Sequence, residues 1–377
     1  MHKEKIFIIT ALQNWNIKTG SNVKDIAVEL SKNNKVLYLN NPKKQPKDYQ
    51  TLHEIKQNLW VLDIPLNIFP LNKLPDGFIF DFFNRINQRR MYGYVKKQLS
   101  KIGFNNFILF IDNDIYHSFY ANEFLSPNFS IYYRRDNMLN MDFWKKHAPR
   151  LEPLLCKKCT IVETNSAYLA EAVSFYNPRT YDVGQGVDLS AYDSSYSYSI
   201  PEDIKEIKRP ILGYTGLLTS MRLDPQLIMD IAKERPGISI VLVGREDAVF
   251  EKHEMHNIPN IIFLGEKPMS RVPHYINAFD ICFNPQKINK ITIGNYPRKI
   301  DEYLALGKPT IGTKTETMKI FEKYVYLCTH LDDYLNAIDT ILHKTESTTI
   351  KQDRINFAKS HSWENSVAAI VSHIDSY

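Results

Sequence analysis

Three features of the sequence predict an α/β fold of two doubly wound, Rossmann-like domains. Short runs of apolar, β-branched and aromatic residues alternate with helical stretches along the whole chain. These runs fall into two groups, separated by a polar, Ser/Tyr-rich, proline-bracketed stretch over residues 188–210. The chain has 377 residues, enough for two domains at roughly 100 to 200 residues each.

The first group of strands is "KIFIIT", "KVLYLN", "LWVLDI", "FILFID", "FSIYYR" and "TIVETN". The second is "RPILGYTG", "GISIVLVG", "NIIFLG", "FDICFNP" and "KPTIGT". Near the C-terminus Val367, Ile370, Val371 and Ile374 recur at helical spacing. The expected domains are therefore 1–190, joined by a C-terminal helix over 363–377, and 205–360. The apolar start from Ile6 to Leu12 follows basic residues but has no small-residue cleavage site, so it reads as a first strand rather than a secretion signal. No apolar run approaches the roughly 18 residues needed to cross a bilayer. Cys156, Cys159, Cys282 and Cys328 are too few for a disulfide framework, and the Cys156/Cys159 pair has no second pair to complete a zinc site. A cytoplasmic protein is expected.

Hydrophobic residues at 44% and charged residues at 24% exclude a disordered chain. The formal charge of +5 is unevenly spread: residues 1–190 hold 25 Lys/Arg against 18 Asp/Glu, and the remainder 22 against 24. The densest piece, residues 85–101, has six cations (Arg85, Arg89, Arg90, Lys96, Lys97, Lys101) and no acid. Phe82 and Phe83 precede it, and Tyr92, Tyr94, Val95 and Leu99 are interleaved. Arg89, Arg90, Lys96 and Lys97 are candidates for contact with an anionic membrane surface or an acceptor. A solvated helix face is the alternative; no motif accompanies the charge that would point to nucleic acid.

Open α/β sheets bind ligands beyond the carboxyl ends of their strands. In "ILGYTGLLTSMRLDPQ" a strand ends near Gly213 and Gly216, glycines suited to close approach of a ligand, and a helix starts with Asp224 as N-cap and Pro225 behind it. The spacing is not Gly-x-Gly-x-x-Gly, which disfavours a nicotinamide enzyme. Arg222 in this loop and Arg245 after the next strand are candidate donor-binding cations. Farther on, a helix is expected from near Pro297 to Leu306, capped by Gly307, with Lys299 and Glu302 on one side. A lysine in the first turn of a helix opposes the helix dipole, which suggests an anionic partner.

The run from Pro297 to Pro309 resembles the nucleotide-sugar signature of two-domain GT-B glycosyltransferases, particularly family 4, in which Pro-x-Lys-x-x-Glu-Tyr-x-Ala-x-Gly-x-Pro is common. The resemblance implies two Rossmann-like domains facing a cleft, a lysine at the donor diphosphate (Lys299, beside Arg298) and a glutamate at the ribose (Glu302). It extends to "FLGEKP", "DVGQGVDLSAY" and "SHSWENSVAAI", and covers most of residues 160–377. Retaining members carry a second glutamate eight residues before the ribose-binding one, where this chain has Gly294.

The segment "FSIYYRRDNML" resembles the inverting, membrane-associated glucuronosyltransferase of xanthan assembly, which implies Asp136 as general base and, through "FLGEKP", Glu266 at the donor. Glycosyl transfer needs such a base and positive charge for the departing diphosphate. Asp112 and Asp114 form an Asp-x-Asp that could hold a metal in a GT-A enzyme, but those are single-domain folds, and no metal or other cofactor is expected here. His117 is a further candidate base at the acceptor or a plain loop residue.

The expected function is transfer of a sugar from a nucleotide donor, UDP-linked, to an acceptor hydroxyl in cell-surface polysaccharide or lipid-linked glycan assembly at the inner membrane face. The alternatives are a GT-B nucleotide-sugar 2-epimerase and a non-catalytic nucleotide-sugar-binding scaffold.

Overall fold

A computed structural model describes residues 4–377 except 18–19, 47–48, 141, 291 and 345. The chain divides into two compact units, Met1–Gly186 with Trp363–Tyr377, and Val187–Ser362.

In the first unit β1 (Ile6–Ala11), α1 (Asn22–Leu30), β2 (Lys35–Leu39), β3 (Leu52–Lys56) and β4 (Leu59–Leu62) precede a long helix, α2 (Phe78–Ile102). There follow β5 (Ile108–Asp112), α3 (Ala121–Leu125), β6 (Phe129–Arg134), α4 (Ala148–Lys158), β7 (Ile161–Thr164), α5 (Ala167–Ser174) and β8 (Thr180–Asp182). The sheet order is β3-β4-β2-β1-β5-β6-β7-β8, parallel except for β3 against β4. Strands buried on both faces need continuous apolar runs, which is why β1 and β5 carry them. The edge strands β3 and β8 are half-exposed and polar, so their sequences carry no such signal.

Helix α2 packs Phe80, Met91, Tyr92, Val95 and Leu99 inward, beside Gln88, whose amide bonds the Tyr116 carbonyl and the Tyr120 N–H. The basic segment of residues 85–101 is thus one face of a packed helix. Tyr92, Val95 and Leu99 belong to the core and are not open to a membrane.

The second unit contains α6 (Glu202–Lys205), β9 (Ile211–Thr215), α7 (Pro225–Glu234), β10 (Ser239–Val243), β11 (Ile261–Gly265), α8 (Val272–Ala278) and β12 (Ile281–Asn284). After these come α9 (Lys299–Ala305), β13 (Thr310–Thr313), β14 (Tyr326–Cys328), α10 (Leu331–His343) and α11 (Thr348–Ser360). Its sheet is parallel, in the order β11-β10-β9-β12-β13-β14. Residues 188–210, expected to be a connection, belong to this unit: Tyr192 and Ile204 are buried in its core, and Asp203 bonds Lys267 and Tyr275. Apolar anchors spaced among serines make this segment a packed strap rather than a free linker.

The last helix, α12 (Trp363–Asp375), returns to the first unit. A Cβ on Gly186 would lie 2.3 Å from the Trp363 ring, so only glycine lets this helix seat there. Glu163, fully buried on β7, accepts from the His373 ring at 3.2 Å and fixes the other end of α12.

Candidate functional site

Sequence order reverses between β9 and β12 in the second unit, which places a ligand crevice beyond their carboxyl ends. Gly216, just past β9, has φ +133°. Its N–H bonds Val243, and a Cβ on the neighbouring Gly244 would lie 1.8 Å from the Gly216 carbonyl oxygen. Two glycines are therefore needed for the loops after β9 and β10 to touch. Leu218 N–H donates to the Arg245 carbonyl at 2.9 Å, Asp224 N–H to Pro285 at 2.9 Å, and Lys287 N–H to Arg222 at 2.7 Å. The loops after β9, β10 and β12 are thereby tied into one rim. Asp247 braces it by accepting from the Ser220 N–H at 2.8 Å; burial alone would raise its carboxyl, but the N–H donors hold it at about 2.

Lys299 opens α9, and its ammonium donates to the Tyr214 hydroxyl at 2.5 Å and lies 4.2 Å from that ring's centroid. A side chain on Gly216 would meet the same ammonium at 2.8 Å. Tyr303, one turn along α9, accepts from the Thr215 N–H at 3.0 Å and fastens the helix to the end of β9. Asp301 lies fully buried between them, held by the His361 ring at 2.7 Å and the Tyr296 hydroxyl at 2.9 Å. Burial pushes its carboxyl up, with His361 opposing. Glu302 stands beside Tyr192; burial raises its carboxyl above the ordinary range, while Arg298 and Lys299 pull it down.

The structure thus gathers Gly216, Arg298, Lys299 and Glu302, and puts Arg222 and Arg245, both exposed, on the adjoining rim. Gly213 has another role. It lies inside β9, where a Cβ would be 2.1 Å from the Phe279 ring, so its bare backbone admits Phe279 and not a ligand. Glu266 is exposed after the edge strand β11 and has no hydrogen bond or ion pair among the described residues. Tyr192, Tyr214, Asp301 and His361 were missed by sequence reasoning. Tyr214 and Asp301 stand inside the motifs themselves, yet their partners come from 85 and 60 residues away.

In the first unit the order reverses between β1 and β5. Asp112, fully buried, accepts from Arg135 Nε at 2.7 Å, and Arg135 Nη1 donates to Asp136 at 2.8 Å. Arg135 therefore orients Asp136, which remains half-exposed after β6. Asp114 instead accepts from the backbone of Tyr116 and His117 and binds the His117 ring Nδ1 at 3.0 Å. Burial would lower His117, but the Asp114 carboxylate outweighs it and the imidazole is raised. Thr10, Asn40, Met91 and Ser118 border the same recess. Among the described residues no group of three or more His, Cys, Asp or Glu could hold a metal ion.

On α2, Arg85 is engaged by Glu123, whereas Arg89, Arg90, Lys96 and Lys97 are exposed.

The whole chain superposes on solved structures of the same two-sheet build. Sucrose-phosphate synthase from Thermosynechococcus elongatus matches with a TM-score of 0.69 at 14% identity over 99% of both chains. The fold is GT-B. A second GT-B structure, HepE of Anabaena in complex with UDP and glucose, matches with a TM-score of 0.66 at 16% identity over 100% of both chains. In sequence, the chain is 26% identical over 241 residues to TuaH of Bacillus subtilis (strain 168), which carries the name of a teichuronic acid biosynthesis glycosyltransferase. That alignment takes in 61% of this chain and 60% of the relative. No protein-family model matches the chain.

Proposed function

We propose that the protein transfers a hexose from a UDP-sugar to an acceptor hydroxyl of a glycan or lipid-linked glycan. The observation that carries this reading is Lys299 against the Gly216 loop, with Glu302 one turn away, at the reversal point of a parallel sheet. Such an arrangement presents a fixed cation where a diphosphate would gain negative charge. Arg298 adds to that charge, and Arg222 and Arg245 attract the anionic donor to the rim. Glu302 accepts from a ribose hydroxyl. Glu266, in the loop after β11, contacts the donor. The named glycosyltransferase relative and the neighbour holding UDP and glucose support the donor class.

In this reading the reaction is a single inverting displacement. Asp136 takes the acceptor proton, its carboxylate steered by Arg135, and no metal participates. His117 is a second reading for the base, favoured by the Asp114 bond to Nδ1, which leaves Nε2 as the acceptor nitrogen of the neutral ring. Peripheral attachment at the inner face of an anionic membrane completes the proposal, through Arg89, Arg90, Lys96 and Lys97.

Incubating the protein with UDP-sugars and a bacterial lipid extract tests the proposal. Release of UDP with formation of a glycosylated lipid, lost in Lys299→Ala, is expected. Epimerised nucleotide-sugar, or binding without turnover, would replace it by one of the alternative functions.

A further inference from the structure

The outward face of α2 changes character along the helix axis. Phe78, Phe82, Arg89 and Lys96 fall on one line at steps of four and seven residues, and Ile79, Arg90 and Lys97 run beside it. The first two turns are apolar: Phe78 is 82% exposed, Phe82 52% and Ile79 47%, with Phe69 of the preceding loop at 43%. The aromatic rings form one patch. Phe78 stacks on Phe82 at 6.3 Å, Phe82 meets Phe83 at 5.4 Å, and Phe83 meets Phe69 at 4.9 Å. Single exposed apolar residues are ordinary, but a contiguous aromatic patch marks a contact surface.

Beyond this tip the face is cationic. The neighbouring acids Asp76 and Asp81 share the Arg150 guanidinium, and Glu123 pairs with Arg85. Arg89, Lys96 and Lys97 have no side-chain partner among the described residues. Arg90 donates to the Asn67 carbonyl at 3.1 Å, which braces the loop carrying Phe69.

From Phe82 the helix rises roughly 10 Å to Arg89 and 22 Å to Lys97, at about 1.5 Å per residue. A helix lying flat in a membrane interface has its apolar stripe along its whole length. Here apolar and cationic residues are separated end to end, which fits a helix inclined to a surface. A nucleic acid would use the cations and leave the aromatic tip in water. An anionic bilayer satisfies both ends, since rings enter the boundary of the acyl chains by roughly 5 to 10 Å while cations meet headgroup phosphates.

We infer that Phe69, Phe78, Ile79 and Phe82 form a wedge that penetrates an anionic lipid bilayer, with α2 inclined so that Arg89, Arg90, Lys96 and Lys97 rest on the headgroups. This rests on the peripheral-membrane reading above and adds penetration to it. No helix among the described residues is long and apolar enough to cross the bilayer, so the wedge anchors without spanning.

The test uses the full chain with vesicles of phosphatidylcholine alone or mixed with phosphatidylglycerol. Binding to the mixed vesicles is expected, with Phe82→Trp giving a blue-shifted fluorescence difference from wild type that shallow brominated lipid quenches. Phe78→Ser/Phe82→Ser should lower vesicle partitioning about tenfold or more with an unchanged melting temperature, because both rings are exposed. Vesicle binding with no fluorescence shift in Phe82→Trp, and undiminished in the double serine variant, overturns penetration and leaves the electrostatic reading standing. No vesicle binding overturns both while leaving UDP-sugar transfer to its own assay. Self-association that the double serine variant abolishes, without lipid binding, assigns the wedge to a second copy of the chain and overturns the inference.

Discussion

The Lys299 ammonium sits 2.8 Å from the position that a Gly216 side chain would take, over the face of the Tyr214 ring. The vacant Cβ is what leaves the cation facing the loop after β9. Lys299→Ala should lower turnover on the order of 100- to 1000-fold, about 3 to 4 kcal/mol, the loss expected for one preorganised donor to a leaving group. Folding should be little affected. Unchanged kcat/KM with a lowered melting temperature would reassign Lys299 to structure. Gly216→Ala should also reduce turnover, through strain at φ +133° and displacement of the ammonium.

Glu302→Ala should chiefly weaken nucleotide affinity. One lost hydrogen bond to a charged acceptor is worth roughly 1.5 to 3 kcal/mol, or about ten- to hundredfold in Kd. Calorimetry with UDP measures it, and an unaltered Kd would remove Glu302 from the ribose.

Gly213→Ala separates packing from binding. The new methyl collides with Phe279, so stability should fall by about 1 to 3 kcal/mol, as overpacked cores do. UDP affinity of the protein that remains folded should be unchanged. Denaturant unfolding and calorimetry report the two quantities independently.

Asp136→Asn should lower turnover roughly 100- to 10,000-fold with donor affinity intact, and NMR of the anomeric proton should show inversion. Activity should persist in chelator, with Lys299 and Arg298 neutralising the leaving diphosphate. If Asp136→Asn retains normal turnover while His117→Asn loses it, the base is His117.

The His117 imidazole, raised by Asp114, makes a pH-dependent contribution to stability. A raised folded pKa means the contribution is full below the unfolded value of about 6.5 and disappears as pH rises through the folded value. The melting temperature of wild type over His117→Asn should therefore shrink on going from acid to alkaline pH. A difference independent of pH would show that Asp114 does not raise the imidazole.

Local sequence patterns determined most of the architecture of this chain. The central strands are buried on both faces and must be written as continuous apolar runs, so β1, β5, β9 and β10 are legible one residue at a time. Helix α7 is equally legible, since Asp224 caps the Leu227 N–H and Pro225 follows, a purely local device. Lys299 and Glu302 could be read because three residues of helix bring them to one side. What tertiary structure decided are relations between distant residues: Asp112 to Arg135, His361 to Asp301, Tyr214 to Lys299, Phe279 to Gly213. A glycine looks the same in sequence whether its missing side chain admits a ligand, a lysine or a phenylalanine ring. Only the packing around Gly213 and Gly216 separates the two roles, because the atom that would fill each vacancy comes from an element 66 or 83 residues further along the chain.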